Sequence, residues 1–135
     1  MLKRCTIQTL LVSNTENGED LIRTEAKGGC LIEETGIMLR YAEAENHGTA
    51  SLLLTEVLAD LKRNGDTRSR MTFVDAKLLP CSYVTPKGTL DFSIYTHEQS
   101  FTVDAQGGCF KARYTLLAAG KQVADNVLTV EWTFE

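Results

Sequence analysis

The C-terminal run Leu128-Thr129-Val130-Glu131-Trp132-Thr133-Phe134 alternates apolar and polar residues at strict period two. Only an extended strand, whose successive side chains point to opposite faces, keeps such a pattern on one side of a sheet. Leu128, Val130 and Trp132 are therefore expected in a core, with Thr129, Glu131 and Thr133 in water. The pattern recurs upstream: Phe110, Ala112, Tyr114 and Leu116 alternate with Lys111, Arg113 and Thr115, and Leu90, Phe92 and Ile94 alternate with Asp91, Ser93 and Tyr95. At the start, Cys5, Ile7, Thr9 and Leu11 share one parity. Gly120 falls between the last two runs and Asn17-Gly18 follows the first, where hairpins must reverse. Short alternating runs broken by turn residues predict an all-β chain.

With 135 residues and no Pro/Ser-rich linker, residues 1–135 are expected to form a single domain around one core. The formal net charge is −4, and the basic residues are scattered apart from Lys62, Arg63, Arg68 and Arg70. Phosphate backbones require a concentrated basic face, so no nucleic-acid partner is expected. No window approaches the ~18 apolar residues of a membrane span, and the opening MLKRCTIQTL lacks a signal-peptide core. A cytoplasmic location with no membrane contact follows. Cys5, Cys30, Cys81 and Cys109 form no CxxC pair, and His47 and His97 have no third ligand at a metal spacing. Reduced structural thiols, no metal and no cofactor are expected.

One segment conflicts with the β pattern. Ala50, Leu53, Leu54, Val57, Leu58 and Leu61 fall at i, i+3, i+4, i+7, i+8 and i+11, with Gly65 placed as a C-cap. Taken alone, this spacing predicts an amphipathic helix over 49–63.

Several stretches carry a resemblance that answers the conflict. They are Leu39-Arg40-Tyr41 with Glu43 two further on, His47-Gly48-Thr49, Leu61-Lys62-Arg63-Asn64-Gly65 and Arg70-Met71-Thr72-Phe73. Tyr83-Val84-Thr85-Pro86-Lys87-Gly88, Thr96 and Tyr114-Thr115-Leu116 complete the set. In order and spacing the chain resembles, over nearly its whole length, the YwiB-like family of small bacterial domains. The resemblance implies an all-β fold, a closed antiparallel calycin-like (lipocalin-like) barrel of about 8–10 strands. It also implies that 49–63 is two strands joined by a tight turn near Glu56. It implies no activity. Lys87 stands where the family places an aromatic residue, so no role for that aromatic carries over. Two related ligand classes are not implied either. A lipocalin's Gly-x-Trp motif is missing from the first strand, Trp132 being the only tryptophan, and Ser13 to Glu19 is too short for the helical pair of a fatty-acid-binding protein.

Parity singles out the candidate site. If Ile37, Leu39 and Tyr41 face inward, so does Glu43; if Val57, Ala59 and Leu61 face inward, so does Arg63. Such a pair has two readings. With Tyr41 it grips a ligand carboxylate or phosphate, since Arg offers a planar fork and Tyr a directed hydroxyl; alternatively Glu43 and Arg63 satisfy each other near a barrel rim. The Tyr83-x-Thr-Pro-x-Gly segment reads as a loop, or as a lid carrying Tyr83. Ligand-binding candidates are thus Tyr41, Glu43, Arg63 and Tyr83. Ala-x-Gly-Gly-Cys recurs at 26–30 and 105–109, where strand-opening turns or bulges are expected rather than a phosphate cradle. No catalytic constellation stands out: no Gly-x-Ser-x-Gly elbow is present, and of the Cys/His dyads that four cysteines and two histidines allow, Cys81 is the candidate nearest the Tyr83–Gly88 loop. The functional expectation is a barrel that binds a small molecule or peptide in its mouth. The alternative is a protein-interaction module whose lumen is filled by Phe73, Phe92, Tyr114 and Trp132, and a homodimer is open under either. Parity also requires an odd-length loop at Asn64-Gly65, with Gly65 at positive φ, and sets Asp60 opposite Arg68 or Arg70 as an exposed ion pair.

Overall fold

A computed structural model describes all of residues 1–135. Ten strands follow one another: β1 (Leu2–Thr15), β2 (Gly18–Glu33), β3 (Gly36–Glu43), β4 (Gly48–Leu54), β5 (Ala59–Asn64), β6 (Arg68–Phe73), β7 (Leu78–Thr85), β8 (Gly88–Val103), β9 (Gly107–Ala118) and β10 (Lys121–Phe134). Each is antiparallel to the next, and β10 pairs back onto β1, so the sheet closes into a barrel. The one helical element is a 3₁₀ turn at Ala44–Asn46.

Segment 49–63 is β-structure. Ala50, Leu52 and Leu54 of β4 and Ala59 and Leu61 of β5 are buried, and the turn between them falls at residues 55–58. Closure of the sheet overrides the helical spacing, because those strands bury their apolar residues against the lumen from both sides of the turn. Val57, expected inward, is 72% exposed at the turn itself. There the Thr55 hydroxyl oxygen accepts the N–H groups of Val57 and Leu58.

The β5–β6 connection has the odd length that parity requires: Arg63 lies opposite Ser69, Leu61 opposite Met71 and Ala59 opposite Phe73, and the three residues 65–67 join the strands. Gly65 plays a different role from the one expected. Its φ is not positive; a Cβ there would sit 2.1 Å from the Asn46 carbonyl oxygen, so glycine is needed for close approach. The Asp60 ion pair also differs from its expected form. Asp60 lies opposite Thr72, and Arg70 reaches it diagonally at 2.9 Å. Thr72 adds a hydrogen bond at 3.3 Å, and only 7% of the Asp60 side chain is exposed.

The two glycine pairs are not alike. Gly107-Gly108 open β9 as expected, whereas Gly28-Gly29 lie within β2 and mark no turn. Gly28 is where β1, β2 and β3 crowd together: a Cβ there would meet the Arg40 carbonyl at 2.2 Å and Ile7 at 2.8 Å. A Cβ on Gly108 would meet Cζ2 of the Trp132 indole at 2.3 Å, so glycine is needed for the indole to pack there.

One end of the lumen is packed solid. Phe73 stacks at a tilt on Phe110 and Tyr114, with ring centroids 6.0 and 5.1 Å apart, and Trp132 is 2% exposed. Toward the other end the walls diverge. β2 pairs with β3 only through Gly28–Glu33, so the wall opens between them beyond Gly28 and Tyr41.

Candidate functional site

The diverging end holds a cavity of about 190 Å³. Tyr41, Glu43, Arg63 and Tyr83 all line it, so the barrel brings together all four residues that parity and loop reading selected. Registers explain how. Tyr41 lies opposite Ala50, and Ala50 opposite Arg63, so the two long side chains flank a methyl group and share its space. Glu43 is one inward step further along β3, within diagonal reach of Arg63. Tyr83 belongs to β7 rather than to a lid. The reversal is the pair Pro86-Lys87, with Thr85 Oγ1 donating to the Gly88 carbonyl at 2.8 Å and Gly88 at φ 134°.

Arg63 Nε donates to both Glu43 carboxylate oxygens, each at 3.1 Å. The side chains are 33% and 18% exposed respectively, so the pair straddles the rim. This geometry uses only one edge of the guanidinium: no hydrogen bond within the protein involves Nη1 or Nη2 of Arg63. Asn46 steadies the carboxylate. Its Nδ2 donates to Glu43 at 3.4 Å and to the Thr67 carbonyl at 2.9 Å, while its Oδ1 accepts the Thr67 N–H at 2.8 Å. The 3₁₀ turn and the β5–β6 loop are thereby tied beside the ion pair.

Around this pair the polar lining consists of hydroxyl groups. Burial pushes the Tyr41 phenol up to about 12; the Glu43 charge adds to the shift and Arg63 opposes it. Tyr83 is also pushed up, by burial first and then by Cys81 and Tyr114. Tyr114 is raised by burial as well. All three stay protonated at neutral pH and keep an O–H to donate. Tyr83 points its hydroxyl at Met71 Sδ, 3.6 Å away, a weak acceptor. Thr9 and Thr24 hydrogen-bond to each other across β1 and β2. Ser69, in register with both Arg63 and Tyr83, has a buried hydroxyl with no partner. Leu11, Ile22, Leu61 and Leu128 supply the apolar wall, and Ile22 is 51% exposed where the cavity meets solvent.

The histidines lie elsewhere. His47 pairs with Asp66 at the surface and His97 hydrogen-bonds to Thr115. Cys81 is buried, and burial pushes its thiol up, away from the thiolate a nucleophile needs. Neither histidine is a cavity residue, so no Cys81/His dyad is assembled there. Sequence reasoning missed Asn46 and Ser69. Ser69 was within reach, since it shares the parity of Met71 and Phe73. Asn46 was not, because its role depends on a loop twenty residues away.

The chain is therefore an all-β protein of one class: a ten-stranded closed antiparallel barrel, solid at one end and hollow at the other. Residues 6–130 match the family described as Domain of unknown function (DUF1934), and the chain belongs to that family. Among solved structures it is similar to the crystal structure of the ywiB protein from Bacillus subtilis. The TM-score is 0.89 at 15% identity, over 99% of this chain and 93% of that one. At that identity the likeness establishes the shared fold. No curated protein matches the chain.

Proposed function

We propose that this protein is a calycin-like binding barrel that holds a small, apolar monocarboxylate in its mouth. The observation that carries the reading is that Arg63 lines the cavity while its bonds to Glu43 run from Nε alone, and that the polar lining beyond this pair consists of hydroxyl groups. A planar carboxylate matches that fork with two parallel bonds. Charge selects a monoanion. Arg63 shares its charge with Glu43 and still offers unused N–H donors to one carboxylate, whereas the second charge of a phosphate dianion meets no further cation among the lining residues, so the dianion is disfavoured. Size selects a short molecule. About 190 Å³ is the volume of roughly six waters, below the ~300 Å³ at which drug-sized pockets begin. The solid end supports the alternative of a filled interaction module, but the hollow mouth is where the polar side chains converge. The four free thiols support a cytoplasmic setting for this activity.

Titration calorimetry with isovalerate and benzoate, against their uncharged amides, tests the reading. The acids should bind with roughly millimolar to micromolar affinity, as ligands of this size do. The amides should bind at least about tenfold more weakly, and Arg63→Met should remove the difference. Equal binding of acids and amides, or acid binding untouched by Arg63→Met, excludes the carboxylate grip.

A further inference from the structure

Strand β2 is longer than the neighbour on its outer side. Gly28–Glu33 pair with β3, whereas residues 18–27 pair with β1 alone, and residues 18–25 are all exposed. The hairpin at Glu16-Asn17 fixes which backbone groups are left over. Thr15 and Gly18 flank a two-residue turn and form a narrow, hydrogen-bonded pair. The phase then runs by twos, so Asp20, Ile22 and Thr24 bond to β1, and Glu19, Leu21, Arg23 and Glu25 turn their N–H and C=O groups away from it. None of these groups enters a backbone hydrogen bond outside the strand ladders. A vacant lane runs along the overhang.

We propose that this lane is filled by β2 of a second copy of the chain, antiparallel, with Leu21 opposite Leu21 of the second copy on a twofold axis. Three features of the overhang select this occupant and this register. First, residues whose backbone groups face the lane must pair with each other, so only shifts by whole two-residue steps are allowed. Second, Leu21 on Leu21 sets Glu19 opposite Arg23 of the second copy, and by symmetry Arg23 opposite Glu19, giving two opposite-charge pairs. Moving one step toward Lys27 sets Glu19 against Glu25 twice, and the next step sets Arg23 against Arg23; both place like charges directly across the seam. Third, length agrees. With Leu21 on the axis, Asn17 at one hairpin tip falls opposite Glu25, just before β3 begins to cover β2 at Gly28. Each hairpin thus ends where the other barrel's own sheet resumes.

The same register has an apolar consequence on the outer surface. Leu21, 57% exposed, lies in one row with Val12 and Val127 across β1 and β10. Pairing at Leu21 joins the rows of two barrels into one strip. Charged side chains on a free edge ordinarily block pairing; here the spacing of Glu19 and Arg23 is self-complementary and permits one register. The seam holds about six backbone hydrogen bonds and stays below the ~1,200 Å² of a standard interface, so a dissociation constant of roughly 1–100 µM is expected.

Sedimentation velocity from low micromolar to millimolar protein tests the proposal. The mass should rise from monomer to dimer over that range. Arg23→Glu should weaken dimerisation by at least about tenfold, and Glu19→Arg with Arg23→Glu should restore it, because the swap recreates both charge pairs. Leu21→Pro removes an N–H that β1 does not use, so it should abolish the dimer while the thermal melt shows a folded barrel. A monomer throughout, a dimer insensitive to Arg23→Glu, or a loss that the charge swap fails to recover overturns the proposal.

Discussion

Separating Glu43 from Arg63 tests how the rim is held. In Glu43→Gln the guanidinium loses its counter-charge, but one third of its side chain is exposed and it can turn to water. The cost should be about 1 kcal/mol. Arg63→Met is harsher. It leaves a carboxylate that is 18% exposed, with only the 3.4 Å bond from Asn46. A mostly buried, uncompensated charge makes that change worth about 2–3 kcal/mol. The double variant orphans neither charge and should cost about 1–2 kcal/mol, short of the 3–4 obtained by adding the singles. The coupling is then about 2 kcal/mol. Urea unfolding followed by Trp132 fluorescence measures all four corners, with an unchanged denaturant slope as the check on two-state behaviour. An additive double variant refutes the coupling and, with it, the view that Arg63 is held in place by its Nε edge.

Trp132→Ala should cost about 3–5 kcal/mol, and the native emission should be blue-shifted, since the indole is 2% exposed. A solvent-like emission maximum contradicts the packing of β10. Gly28→Ala should destabilise by about 2–4 kcal/mol. Gly29→Ala, whose Cβ would meet nothing nearer than Leu2 at 3.5 Å, should be close to neutral, and equal effects in urea melts contradict the crowding at Gly28. Tyr41 gives the alkaline limb. Its pKa is raised from 10.0 to about 12, so the fold favours the neutral phenol. That contribution is complete below pH 10 and is lost as pH rises through about 12. Melting temperature should fall across that window, less steeply in Tyr41→Phe, and identical pH profiles contradict the burial of its hydroxyl.

Much of the barrel is legible as parity. Strict alternation at 128–134 and 110–116 fixes which side faces the lumen, and the same counting turns Tyr41, Glu43 and Arg63 inward, while their juxtaposition follows only from the registers of β3, β4 and β5. Parity fails where a residue leaves the strand. Val57 continues the odd-numbered series of β5 yet sits in the turn that the Thr55 hydroxyl closes. The helical spacing over 49–63 misleads for a related reason: two strands and a turn of these lengths happen to reproduce an i, i+3, i+4 series. Partner-dependent features were not legible. The burial of Asp60 follows from Arg70 and Thr72 closing over it, Gly65 is required by a carbonyl on another loop, and Asn46 acts through Thr67. The free edge of β2 reflects where β3 stops pairing, which no property of residues 18–27 alone reveals.

The central claim is that a carboxylate enters the mouth and meets the outer edge of Arg63. A titration of ¹⁵N-labelled protein with benzoate, read by amide and arginine side-chain shifts, tests it most directly. The account predicts saturable shifts concentrated at Tyr41, Glu43, Arg63, Ser69 and Tyr83, with the Arg63 side chain among the largest, and their loss in Arg63→Met. Shifts spread evenly over the outer strand faces, or the same mouth shifts in Arg63→Met, contradict it.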